Sequence, residues 1–152
     1  MSSISPSRVF AAAIGVFFVV VGAAGLIPAA LWPPVAGRTD QVFHWLDGRL
    51  FNVIHINGIE SVWHIVLGLL GIAMAFRQRS ARIYDEALAI VFFCLVLTGL
   101  APPAQTLAGI APMHGHDLVL YFIIALLAAV FGFVIPVSRK ALKEESQLRT
   151  AL

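Results

Sequence analysis

Five histidines, two tyrosines and a handful of acids are the residues of this chain whose types could do chemistry. Two groups stand out by spacing. Asn57, Glu60 and His64 are three and four residues apart, which places them on one stripe of a helix. His114, His116, Asp117 and Tyr121 form a second dense group, with Asp117 and Tyr121 again four apart. Imidazole is a common metal ligand, and a carboxylate can complete or orient such a site. A metal would therefore draw on His64, Glu60, His114, His116 and Asp117, and a haem would need two histidines facing each other across a bundle. The spacing matches no zinc signature, however, and only His64 lies clearly inside an apolar segment.

The first reading of Asn57, Glu60, His64, His114, Asp117 and Tyr121 is instead a structural network with no cofactor. Glu60 with His64, and Asp117 with Tyr121, are expected to pair within their own helices. Such pairs satisfy buried polar groups and fix how two helices dock. A proton or small-solute pathway is a third reading, because ionisable groups inside a membrane are often functional. No catalytic motif is present: there is no Gly-rich phosphate loop, nucleophile elbow or His-Glu-x-x-His. Glu60, Ser61 and His64 are triad residue types, but they crowd one helical turn and do not approach from separate elements.

The elements that must carry these residues follow from composition. Of 152 residues, 60% are hydrophobic and 12% charged, about half the charge of an average soluble domain. That leaves too little polar surface to cover a water-soluble globule and excludes a cytosolic enzyme. The length supports one domain, here a single integral membrane domain over 1–152. Cys94 is the only cysteine, so neither an internal disulfide nor a multi-cysteine metal site exists. The net charge of +2 comes from basic residues beside apolar segments, which is the pattern of topology determinants; nucleic acid is not an expected partner.

Four segments are apolar enough to be read as membrane spans: about 9–32, 59–76, 87–102 and 118–137. The first has an uncharged core longer than a signal peptide's, and is read as a retained helix. Pro28, Pro33 and Pro34 end it, and Pro102-Pro103 end the third. Arg8, Arg77, Arg79, Arg82, Arg139, Lys140, Lys143 and Arg149 lie on one side, against Arg38 and Arg49 on the other. The positive-inside rule then puts both termini, with a tail at 138–152, in the cytoplasm. The polar stripes fall in the outer third of the bundle.

The second and fourth spans align at a constant offset. Asn57 falls on His114, Glu60 on Asp117, His64 on Tyr121, Gly68 on Ala125 and Gly71 on Ala128. The first and third align through Gly25-Leu26-Ile27-Pro28 and Gly99-Leu100-Ala101-Pro102. The fold class expected is all-α: a four-helix transmembrane bundle of two parallel helix–loop–helix repeats. Between the first two spans, Thr39 or Asp40 could cap a short amphipathic helix carrying Val42, Phe43, Leu46 and Leu50, with Trp45 and Phe51 as interfacial aromatics. His44 or His55 would then lie over the polar cluster.

The run Asn57-Gly58-Ile59-Glu60-Ser61-Val62-Trp63-His64-Ile65-Val66-Leu67-Gly68, with Ala81-Arg82-Ile83-Tyr84 and the echo around Asp117, resembles an uncharacterised bacterial family, domain-of-unknown-function family 4383. The resemblance spans about Val9 to Val137. It implies a small four-span protein of the bacterial inner membrane and no established activity. The family pattern often has His-Asn where this chain has Glu60-Ser61, and His where it has Tyr121, which weakens a family-wide two-histidine site. The function expected is that of a non-enzymatic accessory or assembly subunit of a membrane complex, or of a homo-oligomer. Its partners would be the lipid bilayer and other membrane subunits or itself. The alternative is a metal- or haem-binding, redox-associated membrane protein.

Overall fold

The structure is a computed structural model that describes residues 5–34, 45–101 and 115–136, with 143, 146 and 147 of the C-terminal segment. Among the described residues four long helices run alternately up and down: α1 (Pro6–Gly25), α2 (Gly58–Met74), α3 (Gln78–Leu100) and α4 (His116–Ala129). The last continues without a break into a π-helical turn at Val130–Val134. Local chemistry explains the starts. Ser5 caps α1 by accepting from the Arg8 amide, with Pro6 pre-set in the first turn. Asn57 and Glu60 form a capping box on α2. Gly115, at φ 69°, turns the chain into α4.

Helices α1, α3 and α4 with its π turn are long and apolar enough to cross a membrane. At 17 residues, α2 is shorter, about 25 Å against a hydrocarbon core of about 30 Å. The expected boundaries shift accordingly. The first helix ends at Gly25, and a 3₁₀ turn at Pro28–Ala30 leads into a strand. The third begins at Gln78 and not near residue 87. Nothing between Arg77 and Leu100 breaks a helix, so the polar residues Arg79, Arg82, Asp85 and Glu86 are wound into the start of α3. Ala81–Tyr84, expected in a loop, are helical for the same reason.

A second correction concerns the first long connection. Leu46 and Leu50 do not lie on an amphipathic helix. Strands β1 (Leu31–Trp32), β2 (Gly48–Leu50) and β3 (Ile54–Ile56) form a small antiparallel sheet in the order β1-β2-β3. Leu31 faces Leu50, and Arg49 faces His55. Asp47-Gly48 and Phe51-Asn52 break any helix here. Phe51 and Asn52 both have positive φ, and the Val53 amide donates to the Leu50 carbonyl at 3.0 Å, closing a tight hairpin. Residues 39–44 of the expected helix, with His44, lie outside the described residues, as do His114 and most of the tail.

α1 packs mainly on α2, and α3 on α4. The first pair approach backbone to backbone: a Cβ on Gly15 would sit 2.7 Å from the Gly68 carbonyl oxygen, and one on Gly68 would sit 2.7 Å from the Val19 nitrogen. The main core gathers Phe18, Leu88, Phe92, Ile124 and Ala128 from α1, α3 and α4. A smaller core of Val21, Leu50 and Ile56 seats the sheet on the helices. One end of the bundle thus carries the sheet. The other, basic end is tied by Ser5 to Gln78, by the Arg8 guanidinium donating to the Ala75 carbonyl at 2.8 Å, and by Ser7 donating to the Phe131 carbonyl at 2.9 Å.

Candidate functional site

The two polar stripes do meet at the sheet end. Asn57, Glu60, Gly68 and Gly71 on α2 are buried, and so are Asp117, Tyr121, Ala125 and Ala128 on α4; His64 is half-buried. Periodicity alone therefore identifies the inward faces. The partners, by contrast, are not those expected from spacing.

Glu60 lies at the first turn of α2, where its backbone amide donates to Asn57 Oδ1 at 2.9 Å. Its Oε2 accepts from the Asn57 amide at 3.3 Å. Its Oε1 accepts from the Tyr121 hydroxyl at 3.2 Å. Both carboxylate oxygens are thus engaged, one within α2 and one across to α4. Tyr121 does not pair with Asp117, its neighbour one turn away, and its hydroxyl bridges the helices. Ser61 Oγ donates back to the Asn57 carbonyl at 2.8 Å. Gly25 of α1 lies directly against that hydroxyl, where any Cβ would collide with it.

His64 does not pair with the Glu60 side chain. Its Nδ1–H donates to the Glu60 backbone carbonyl at 2.8 Å. A carbonyl can only accept, so this bond fixes the tautomer and leaves Nε2 as the acceptor nitrogen. The imidazole lies 5.3 Å from the Phe18 ring. Beneath it, Phe18 stacks on Phe92 at 5.6 Å, and Phe92 meets the edge of Tyr121 at 5.3 Å. This aromatic layer closes the polar cluster from the rest of the bundle.

The sheet contributes what spacing could not reveal. The His55 amide donates to Asp117 Oδ1 at 3.1 Å, joining β3 to the first turn of α4. The His55 Nε2 is hydrogen-bonded to Asp47 Oδ1 at 2.8 Å, with both side chains largely enclosed. Asp47 has no sequence signal, because it belongs to neither stripe and reaches the cluster only through the hairpin. Trp45 lies on Gly58, and its carbonyl accepts from the Gly58 amide at 2.8 Å, covering the start of α2.

His116 is exposed at the start of α4. Among the described residues no group of three His, Cys, Asp or Glu side chains could hold a metal ion. Asp117 and Glu60 meet protein donors, and His64 Nε2 is the nitrogen left for a ligand.

Comparison with curated proteins and with solved structures gives no match. The family model of a domain of unknown function, DUF4383, matches residues 8–134, most of the chain, and the protein belongs to that family.

Proposed function

We propose that this is a non-enzymatic multi-pass protein of the bacterial inner membrane, acting by lateral packing as an accessory subunit of a larger complex or as a homo-oligomer. The observation that carries this reading is the self-sufficiency of the Glu60 carboxylate. Its two oxygens are taken by Asn57 and Tyr121 of the same chain. A polar cluster closed in this way serves as a latch between α2 and α4 and leaves the outward faces of the helices to make the external contacts. Those faces carry Val16, Val20, Leu69, Val91, Phe122 and Leu126, all exposed. Four spans, with α2 short and its ends near the interfaces, and both termini in the cytoplasm agree with the excess of basic residues at the end opposite the sheet. A parallel duplication is supported by Phe18 and Phe92, which sit at the offset of the Gly25/Gly99 match and stack on each other.

The test is extraction in native lipid particles with measurement of mass and composition. The reading expects a defined oligomer or a stoichiometric second chain; a strict monomer alone contradicts it. The cofactor alternative keeps one favourable observation, the fixed tautomer of His64. A metal-binding histidine commonly donates its other N–H to a carbonyl in this way. Stoichiometric metal, or a Soret band lost in His64→Ala, would establish that alternative in place of the latch.

A further inference from the structure

The basic end of the bundle holds an acid that the latch does not use. Ala81, Tyr84, Asp85, Leu88, Ala89 and Phe92 form one stripe of α3, at spacings of three and four, and all are buried. Asp85 is its single charged member. Its exposure is 0%, and neither carboxylate oxygen has a hydrogen-bond partner.

Its neighbours in sequence place it. A Cβ on Gly71 would lie 2.8 Å from the Tyr84 hydroxyl and 3.0 Å from the Ala11 carbonyl, so Tyr84 sits where α1, α2 and α3 meet. A Cβ on Gly132 would lie 2.8 Å from the Glu86 amide, so the next residue on α3 abuts the π turn. Asp85 is therefore enclosed between these contacts, at the level where Ser7 of α1 bonds to the π turn through the Phe131 carbonyl. Seven residues separate it from Phe92, about 10 Å along the helix, and the Phe18–Phe92 layer stands between it and Glu60.

Among the described residues, the charged and titratable groups of the surrounding elements are bonded elsewhere or exposed, Arg77 among the latter. On α1, Arg8 is turned to the Ala75 carbonyl. On α3, Arg82 pairs with Glu86 at 2.9 Å, Tyr84 donates to the Leu67 carbonyl at 3.0 Å, and Arg79 is exposed. The described titratable groups of α2 and α4 are Glu60, His64, His116, Asp117 and Tyr121, all toward the sheet end. An enclosed carboxylate without donor or counter-charge is far costlier than the neutral acid. π-helical turns, moreover, are frequently found at functional sites.

We propose that Asp85 is an intramembrane proton-binding site, holding a proton while the basic end is closed and releasing it only when the seam between α1 and the π turn admits water. The ligand is a proton, and closure of this end is the event coupled to it. The site stands apart from the latch at Glu60 and does not depend on lateral assembly.

Infrared difference spectroscopy on the full chain in lipid, between neutral and alkaline pH, tests this in sodium-free buffer. The expected result is a protonated-carboxyl component that is lost on alkalinisation and is missing from both Asp85→Asn and Asp85→Leu, over and above any signal of Glu60 common to all three. The leucine variant places an apolar side chain in the same enclosure, and provides the comparison if the asparagine variant does not fold. A spectrum of either folded variant identical to that of the unsubstituted chain overturns the assignment. So does displacement of the band by sodium at constant neutral pH, which would make the site a cation site instead.

Discussion

The two ends of this bundle treat a buried acid in opposite ways. At the sheet end, Glu60 accepts from the Asn57 amide and the Tyr121 hydroxyl, and Asp117 accepts from the His55 amide. At the basic end, Asp85 is likewise shielded from solvent and has no hydrogen-bond partner. The difference lies in the backbone each acid can reach. Glu60 and Asp117 stand in first helical turns, where amides lack intrahelical partners and one more strand lies within reach. Asp85 stands two turns into α3, where every nearby amide is already consumed by the helix. A carboxylate at a helix start organises structure, and one in a helix interior must find a proton or a cation.

Three substitutions break or sharpen that contrast. The largest effect is expected from Glu60→Leu, which removes the acceptor of both the Tyr121 hydroxyl and the Asn57 amide; a loss of about 3 kcal/mol should appear in unfolding followed by circular dichroism in micelles. Asp85→Leu should move the other way. Removing an enclosed acid that has no partner is expected to raise stability by about 1 kcal/mol in the same assay. A loss there as large as that of Glu60→Leu would erase the distinction between the ends. The smallest effect belongs to the hairpin that supplies His55. Phe51 is exposed and held at φ 53°, so Phe51→Gly should gain about 0.5 kcal/mol, relief of the left-handed conformation outweighing the added chain entropy.

Much of this was legible in the sequence, and the exceptions have physical causes. The stripes on α2 and α4 were readable because a polar residue within an apolar helix has one acceptable direction, inward. Their hydrogen-bond partners were not, because spacing reports which residues share a face and says nothing of what lies opposite. Thus Tyr121 chose Glu60 over Asp117, and His64 chose a backbone carbonyl over a side chain. The sheet is not legible from periodicity, because Leu46 and Leu50 satisfy a helical period, while Asp47-Gly48 and Phe51-Asn52 carry the turn chemistry that decides the segment. Asp85 is hidden from sequence reasoning for a related reason. The basic residues at 77–82 suggested a loop, and only a helix starting at Gln78 carries Asp85 into the core.

The central claim is that Glu60 and Tyr121 form an interhelical latch complete within the chain. A double-mutant cycle with Glu60→Leu and Tyr121→Phe, read as unfolding free energy in one micelle system, addresses it directly. The account predicts coupling, with the double variant no less stable than Glu60→Leu alone, because the phenylalanine removes the hydroxyl that the first change orphans. Strictly additive losses would show that the two side chains act independently, and would contradict the latch.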